Sequence, residues 1–141
     1  MASADELRTR IETNRAALKA AIEAAGPRWE QSPGGEEWAP RRVAEHAIGA
    51  ERAFGGWIAT AMQGRPPEQQ QLALAAPAEA AAALEAAAAD FTRVVRYVED
   101  RDLAKVADHP TPYPKTVEGV LQLSADHLDN HAKQIRAAIG S

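Results

Sequence analysis

The sequence predicts an all-α fold: a four-helix bundle in the order up-down-down-up, with a crossover between the second and third helices. Three observations lead to it. Alanine is abundant, β-branched residues are thin and only 5% of the chain is aromatic, a composition that favours closely packed helices over sheet. Four stretches repeat apolar residues at helical spacing, each bounded by glycine or proline. A polar, glutamine-rich connection over residues 63–76 separates the second stretch from the third and is long enough to carry the chain back along a bundle.

The first helix starts at Ser3, which has the capping-box spacing to Glu6. Leu7, Ile11, Leu18 and Ile22 form its stripe, and Gly26-Pro27 stops it. The segment GPRWEQSPGGEEW (residues 26–38) is a loop by its glycines and prolines. Pro40 suits the first turn of helix two, where a missing N–H costs nothing. Val43, Ala47, Ala50, Phe54, Trp57, Ile58 and Ala61 lie along one side of that helix, and Gln63-Gly64-Arg65-Pro66-Pro67 ends it. Helix three starts near Pro77, where AEAAAALEAAAAD has high helix propensity and little bulk. Its inward face reads Leu84, Ala88, Phe91, Val95 and Val98. The prolines of DHPTPYP keep the next segment extended. Thr116 caps helix four, whose stripe is Val117, Leu121, Leu128, Ile135 and Ile139, with Gly140 as terminator.

At 141 residues, the chain reads as one domain, 1–141, able to bury a real core. With 45% hydrophobic residues, global disorder is not expected. The net charge of −4 has both signs interspersed, and no basic patch offers a nucleic-acid footprint. Cysteine is absent, which excludes a disulfide framework, a zinc ribbon and a cysteine nucleophile. Any thiol chemistry must draw its thiol from a co-substrate. The opening MASADELRTRIE lacks the apolar stretch of a signal peptide, and no segment approaches the roughly 20 apolar residues of a membrane span. The expectation is a cytoplasmic protein without membrane or nucleic-acid partners.

Three of the four histidines can meet. With Val117 at zero on the wheel of helix four, His127 and His131 fall near about −80° and −40°. Four residues apart, they project from one face on successive turns, as paired ligands do in helical metal motifs. With Val43 at zero on helix two, His46 falls near about −60°. His109, in the proline-rich loop, shares no such periodicity. Depth decides the topology. His46 lies roughly 9 Å into helix two, and His127 and His131 roughly 16 and 22 Å into helix four. Parallel helices would miss by roughly 10 Å. Run antiparallel, the pair's midpoint lies roughly 13 Å from the far end of helix four, close to the level of His46. A shared site therefore needs helix two to oppose helix four, which requires the crossover. About fourteen residues reach roughly 45 Å, against a helix of roughly 33 Å.

Three neutral imidazoles suit zinc, nickel, iron or copper, and three protein ligands leave room for water or substrate. His46, His127 and His131 are thus the candidate metal ligands. Glu51 and Gln134 are candidate supporting or substrate groups; Gln134 sits on the His127 side of its helix, whereas Glu51 points toward an interhelical or surface role. Trp38, Phe54 and Trp57 are candidate pocket aromatics.

The segments WAPRRVAEHAIGAE (38–51) and LSADHLDNHAKQIRAAI (123–139) resemble the DinB superfamily, also called DinB/YfiT-like, and the resemblance covers nearly the whole chain. The first is similar to that family's Trp-x-Pro approach to helix two, its histidine and the glutamate five residues on. The second is similar to its closing His-x-x-x-His-x-x-Gln-Ile element. The resemblance implies a crossed up-down-down-up bundle, a divalent metal (typically nickel or zinc) on His46, His127 and His131, and a homodimer. Family activities are thiol-dependent: S-transfer with bacillithiol and maleylpyruvate isomerisation with mycothiol. Two residues depart from the pattern. Ala39 stands where a serine or threonine is common, removing a hydroxyl cap, and Ala47 stands where leucine is usual, which is expected to widen the pocket wall. The extra C-terminal domain of the mycothiol-dependent isomerases is not expected here.

The leading expectation is a metal-dependent enzyme that joins a low-molecular-weight thiol to an electrophilic small molecule; no residue is assigned a catalytic role beyond the ligands. A metal-dependent hydrolase is the alternative, with Glu51 or Asp126 as general base, although Asp126 lies opposite the apolar stripe. A non-catalytic metal- or small-ligand-binding stress protein is the third.

Overall fold

The structure, a computed structural model, describes residues 2–140. Among these residues four α-helices pack as a bundle: α1 (Ala4–Ala25), α2 (Pro40–Ala61), α3 (Pro77–Val95) and α4 (Val117–Ala138). Short 3-10 turns occupy Gly26–Arg28 and Asp100–Asp102. No β-strand forms among the described residues; Val106 and Thr116 make one isolated antiparallel bridge.

The helix starts follow the local chemistry. Ser3 Oγ accepts the Glu6 N–H at 3.1 Å, and Thr116 Oγ1 accepts the Gly119 N–H at 3.1 Å, each satisfying a donor that the first turn leaves free. Helices α2 and α3 instead begin with proline, and neither Ala39 nor Ala76 supplies a side-chain cap.

The core draws on all four stripes: Leu7, Ile11, Leu18 and Ile22; Val43, Ala47, Ile48 and Ile58; Leu84, Phe91 and Val95; Val117, Leu121, Leu128 and Ile135. Burying each of the larger side chains contributes about 1.5–3 kcal/mol. Helix α3 is rotated slightly from expectation. Ala80 and Ala87 are buried while Ala88 is half-buried. In an alanine run nothing in the side chains distinguishes one methyl from the next, so only packing sets the rotation. Val98 is buried beyond the end of the helix.

Helix α1 packs on α4 and α3, and α2 packs on α3 and α4. Polar contacts fix which levels meet. Between α1 and α4, Arg10 pairs with Asp126, Asn14 Nδ2 donates to the Ala125 carbonyl at 2.8 Å, and Arg28 reaches the Ile139 carbonyl at 3.1 Å. Between α1 and α3, Arg8 donates to the carbonyls of Val95 and Val98, and Lys19 pairs with Glu85. Arg52 of α2 pairs with Asp90 of α3.

Two loops are tied to this frame. Trp29 is buried and its indole N–H donates to the Leu74 carbonyl at 2.8 Å. The Leu74 N–H in turn donates to Glu45 at 2.8 Å, so the loop before α2 and the connection before α3 share one anchor. Ahead of α4, the Ala107 N–H donates to the Lys115 carbonyl, and the backbone at Pro114 comes down onto Gly119 of the helix. A Cβ at Gly119 would lie 2.0 Å from the Pro114 oxygen, so only glycine permits this approach.

Candidate metal centre

The seam between α2 and α4 positions the site. Val43 and Ala47 on α2, and Leu128, Ala132 and Ile135 on α4, turn inward and are buried. That fixes the rotation of both helices and leaves His46, His127 and His131 along the edges of the seam. His46 is exposed, and the other two are half-buried.

The three rings converge. His127 Nε2 lies 3.3 Å from His46 Nε2 and 3.0 Å from His131 Nε2. One ligand atom from each of the three lies within 4.8 Å of the others. His131 Nδ1–H donates to Gln134 Oε1 at 2.8 Å, which leaves the lone pair of His131 Nε2 directed at the cluster. At this range a pair of ring nitrogens either shares one proton or turns both lone pairs on a common cation. Nitrogens that bind one ion at about 2.0–2.1 Å sit about 2.9–3.4 Å apart at bond angles between octahedral and tetrahedral. The two spacings to His127, 3.0 and 3.3 Å, fall in that interval, so the residues fit a metal ion.

The surroundings keep the rings neutral. The Phe54 ring meets His127 edge-on at 5.2 Å between centroids, and Trp38 meets His46 edge-on at 5.5 Å. Burial, reinforced by His131 and His46, pushes the His127 pKa down to about 3. Burial also lowers His46 and His131, where the Gln134 hydrogen bond opposes it. Neutral imidazole is the form that binds metal.

A cavity of about 440 Å³ opens on His46 and His131, walled by Trp38, Gln134, Glu36 and Glu37. The two glutamates lie in the loop over residues 26–38 and were not among the predicted site residues; adjacent acidic residues directly ahead of Trp38 were the available signal. Ala47 lies in the core and is not part of this wall. Nor is Trp57, which stacks on His109 at 5.3 Å.

The other candidates have different duties. His109 is only 4% exposed; its Nε2–H donates to the Pro114 carbonyl at 2.9 Å and its Nδ1 accepts the Thr111 N–H at 3.2 Å. Both ring nitrogens are engaged, and it stays outside the cluster. Glu51 is interhelical rather than superficial: it is 2% exposed and paired with Arg15 of α1. Burial raises its pKa, while Arg15 and Arg52 pull it back down. Asp126 is bound to Arg10 and accepts the Tyr113 hydroxyl at 2.6 Å.

The family model of the DinB superfamily matches residues 10–135, a span that holds all three clustered histidines and Gln134. The chain belongs to the DinB superfamily. No curated protein and no solved structure matches it significantly. Among the described residues of this DinB chain, no helix is long and apolar enough to cross a membrane.

Proposed function

We propose that this DinB chain, as one domain over residues 1–141, is a metal-dependent transferase that joins a low-molecular-weight thiol to an electrophilic small molecule. His46, His127 and His131 would hold a divalent ion, zinc or nickel. The observation that carries the proposal is the convergence of three Nε2 atoms, with the opposite nitrogen of His131 held by Gln134. When bound, such an ion supplies a Lewis acid that lets a thiol lose its proton near neutral pH. The chain's own residues present three neutral imidazoles, with the Phe54 ring packed edge-on against His127 and the Trp38 ring against His46. The cavity beside His46 and His131 gives the small molecule its place. With no cysteine in the chain, the sulfur comes from the co-substrate.

The crossed up-down-down-up order belongs to the same proposal. In support, His46, early in α2, meets His131, late in α4. Phe54, farther along α2, meets His127, and Trp57 meets His109, ahead of α4. The cytoplasmic location and the homodimer implied by the family resemblance complete the reading.

Thiol transfer ranks ahead of hydrolysis because both bases suggested for hydrolysis are engaged, Glu51 by Arg15 and Asp126 by Arg10 and Tyr113. The test is elemental analysis of metal-replete protein, followed by product analysis with a panel of thiols and a generic electrophile. One zinc or nickel per chain with thiol-dependent product is the expected result. Turnover without thiol would replace transfer by hydrolysis, and stoichiometry well below one ion per chain would overturn the metal centre.

A further inference from the structure

A second cavity, of about 400 Å³, lies between α2, α3 and the connection that joins them, and it is lined by Arg52, Arg65, Arg93, Glu68 and Asp90. It shares no residue with the cavity at the histidines. Three guanidiniums face two carboxylates there, in a chain whose net charge is −4. One carboxylate, Asp90, is already bound to Arg52. Arg52 is only 4% exposed, and its Nε is buried without a hydrogen-bond partner among the described residues. A buried guanidinium whose donors are not all satisfied is costly to keep. Arginine's planar fork matches the oxygens of phosphate and carboxylate.

Arg65 and Arg93 also line a neighbouring cavity of about 290 Å³, whose other walls are largely apolar: Ala59, Met62, Val94 and Tyr97. Tyr97 is 66% exposed, one of two large hydrophobic side chains left open among the described residues. The Arg96 guanidinium lies over its ring at 4.7 Å from the centroid. The two arginines therefore divide a polar, basic chamber from an apolar one.

We propose that this pair of cavities binds a small oxyanion, phosphate or carboxylate, carried on an apolar group. The oxyanion lies among Arg52, Arg65 and Arg93, and the apolar part lies against Met62, Val94 and Tyr97. Because the arginines come from α2, α3 and the connection, binding ties that connection to the bundle.

The test is calorimetric titration of metal-loaded full-length protein with phenyl phosphate, benzoate and inorganic phosphate, in a buffer free of other oxyanions. One of the two aromatic anions should bind saturably, one per chain, and about tenfold or more tighter than inorganic phosphate. Whichever binds identifies the head group. The Arg65→Ala/Arg93→Ala double variant removes two exposed side chains, so the fold is preserved, and it should weaken binding by about tenfold or more. His46→Ala should leave binding unchanged, which separates this site from the histidine centre. Failure of both aromatic anions to bind, unchanged affinity in the double variant, or loss of binding in His46→Ala would each overturn the proposal.

Discussion

His127 makes both of the ring-nitrogen contacts that join the cluster, one to His46 across the seam and one to His131 along α4. His127→Ala is therefore expected to lower bound metal to less than about a tenth of an ion per chain, with helical circular dichroism retained; elemental analysis after desalting checks this. Gln134→Leu keeps the size of the side chain but removes the acceptor for His131 Nδ1–H. Metal affinity should fall about 10–100-fold, measured by competition with a chromogenic chelator. The histidines also set a pH dependence. In the unfolded chain each titrates near about 6.5, whereas in the fold His127 titrates at about 3 and the other two are lowered in the same direction. Between those values the unfolded chain binds protons that the folded chain does not. Metal-free protein should then hold the full contribution above about pH 6.5 and lose it progressively toward about pH 3. Urea denaturation across that range should show a shallower decline for His127→Gln; parallel slopes in the two proteins would refute this origin.

Among the elements, α4 depends on one missing side chain. Gly119→Ala would set a Cβ 2.0 Å from the Pro114 oxygen, the same oxygen that accepts His109 Nε2–H. The loop must lift or the helix shift, so the variant should lose about 2 kcal/mol or more in chemical denaturation. Helix α2 offers the reverse case. Ala39 sits in extended backbone at the cap position without a side-chain hydrogen bond, so Ala39→Ser should add up to about 1 kcal/mol in the same measurement. Both ends of this contrast bear on what the sequence reveals. Helix starts are governed by local chemistry, so Ser3, Pro40, Pro77 and Thr116 were legible, as was the shared phase of His46, His127 and His131. Glu51 was harder to place because its partner Arg15 lies 36 residues away on another helix. A helical wheel gives a direction and not what waits there. The burial of His109 was hidden for a similar reason: it depends on the space left by Gly119 and on the ring of Trp57, neither of which periodicity connects to a proline-rich loop.

At the scale of the whole molecule, the depth of each histidine along its helix links the cluster to the chain's path, a link that composition and stripes alone do not provide. Because the chain has no cysteine, introduced pairs report on that path without background. Arg28 touches the carbonyl of Ile139, so Arg28→Cys/Ala137→Cys should join through a short bismaleimide. Arg28→Cys/Glu118→Cys, separated by nearly the length of a helix of roughly 33 Å, should not. The opposite outcome would refute the crossed order. Metal removal should also register globally. Free ion at about a hundred times its dissociation constant stabilises the fold by about 2.7 kcal/mol, an upward shift in melting temperature on the order of 5–10 °C that a chelator reverses. The contact between His127 and His46 spans 81 residues of sequence. An ion held by both would close that long segment into a ring in the folded chain alone, because the unfolded chain does not bring the two imidazoles together. Unlike a covalent cross-link, such a clasp would leave the denatured ensemble as it is and would have to open before α2 and α4 part, so added ion should slow unfolding, and acid or a chelator should restore the metal-free rate.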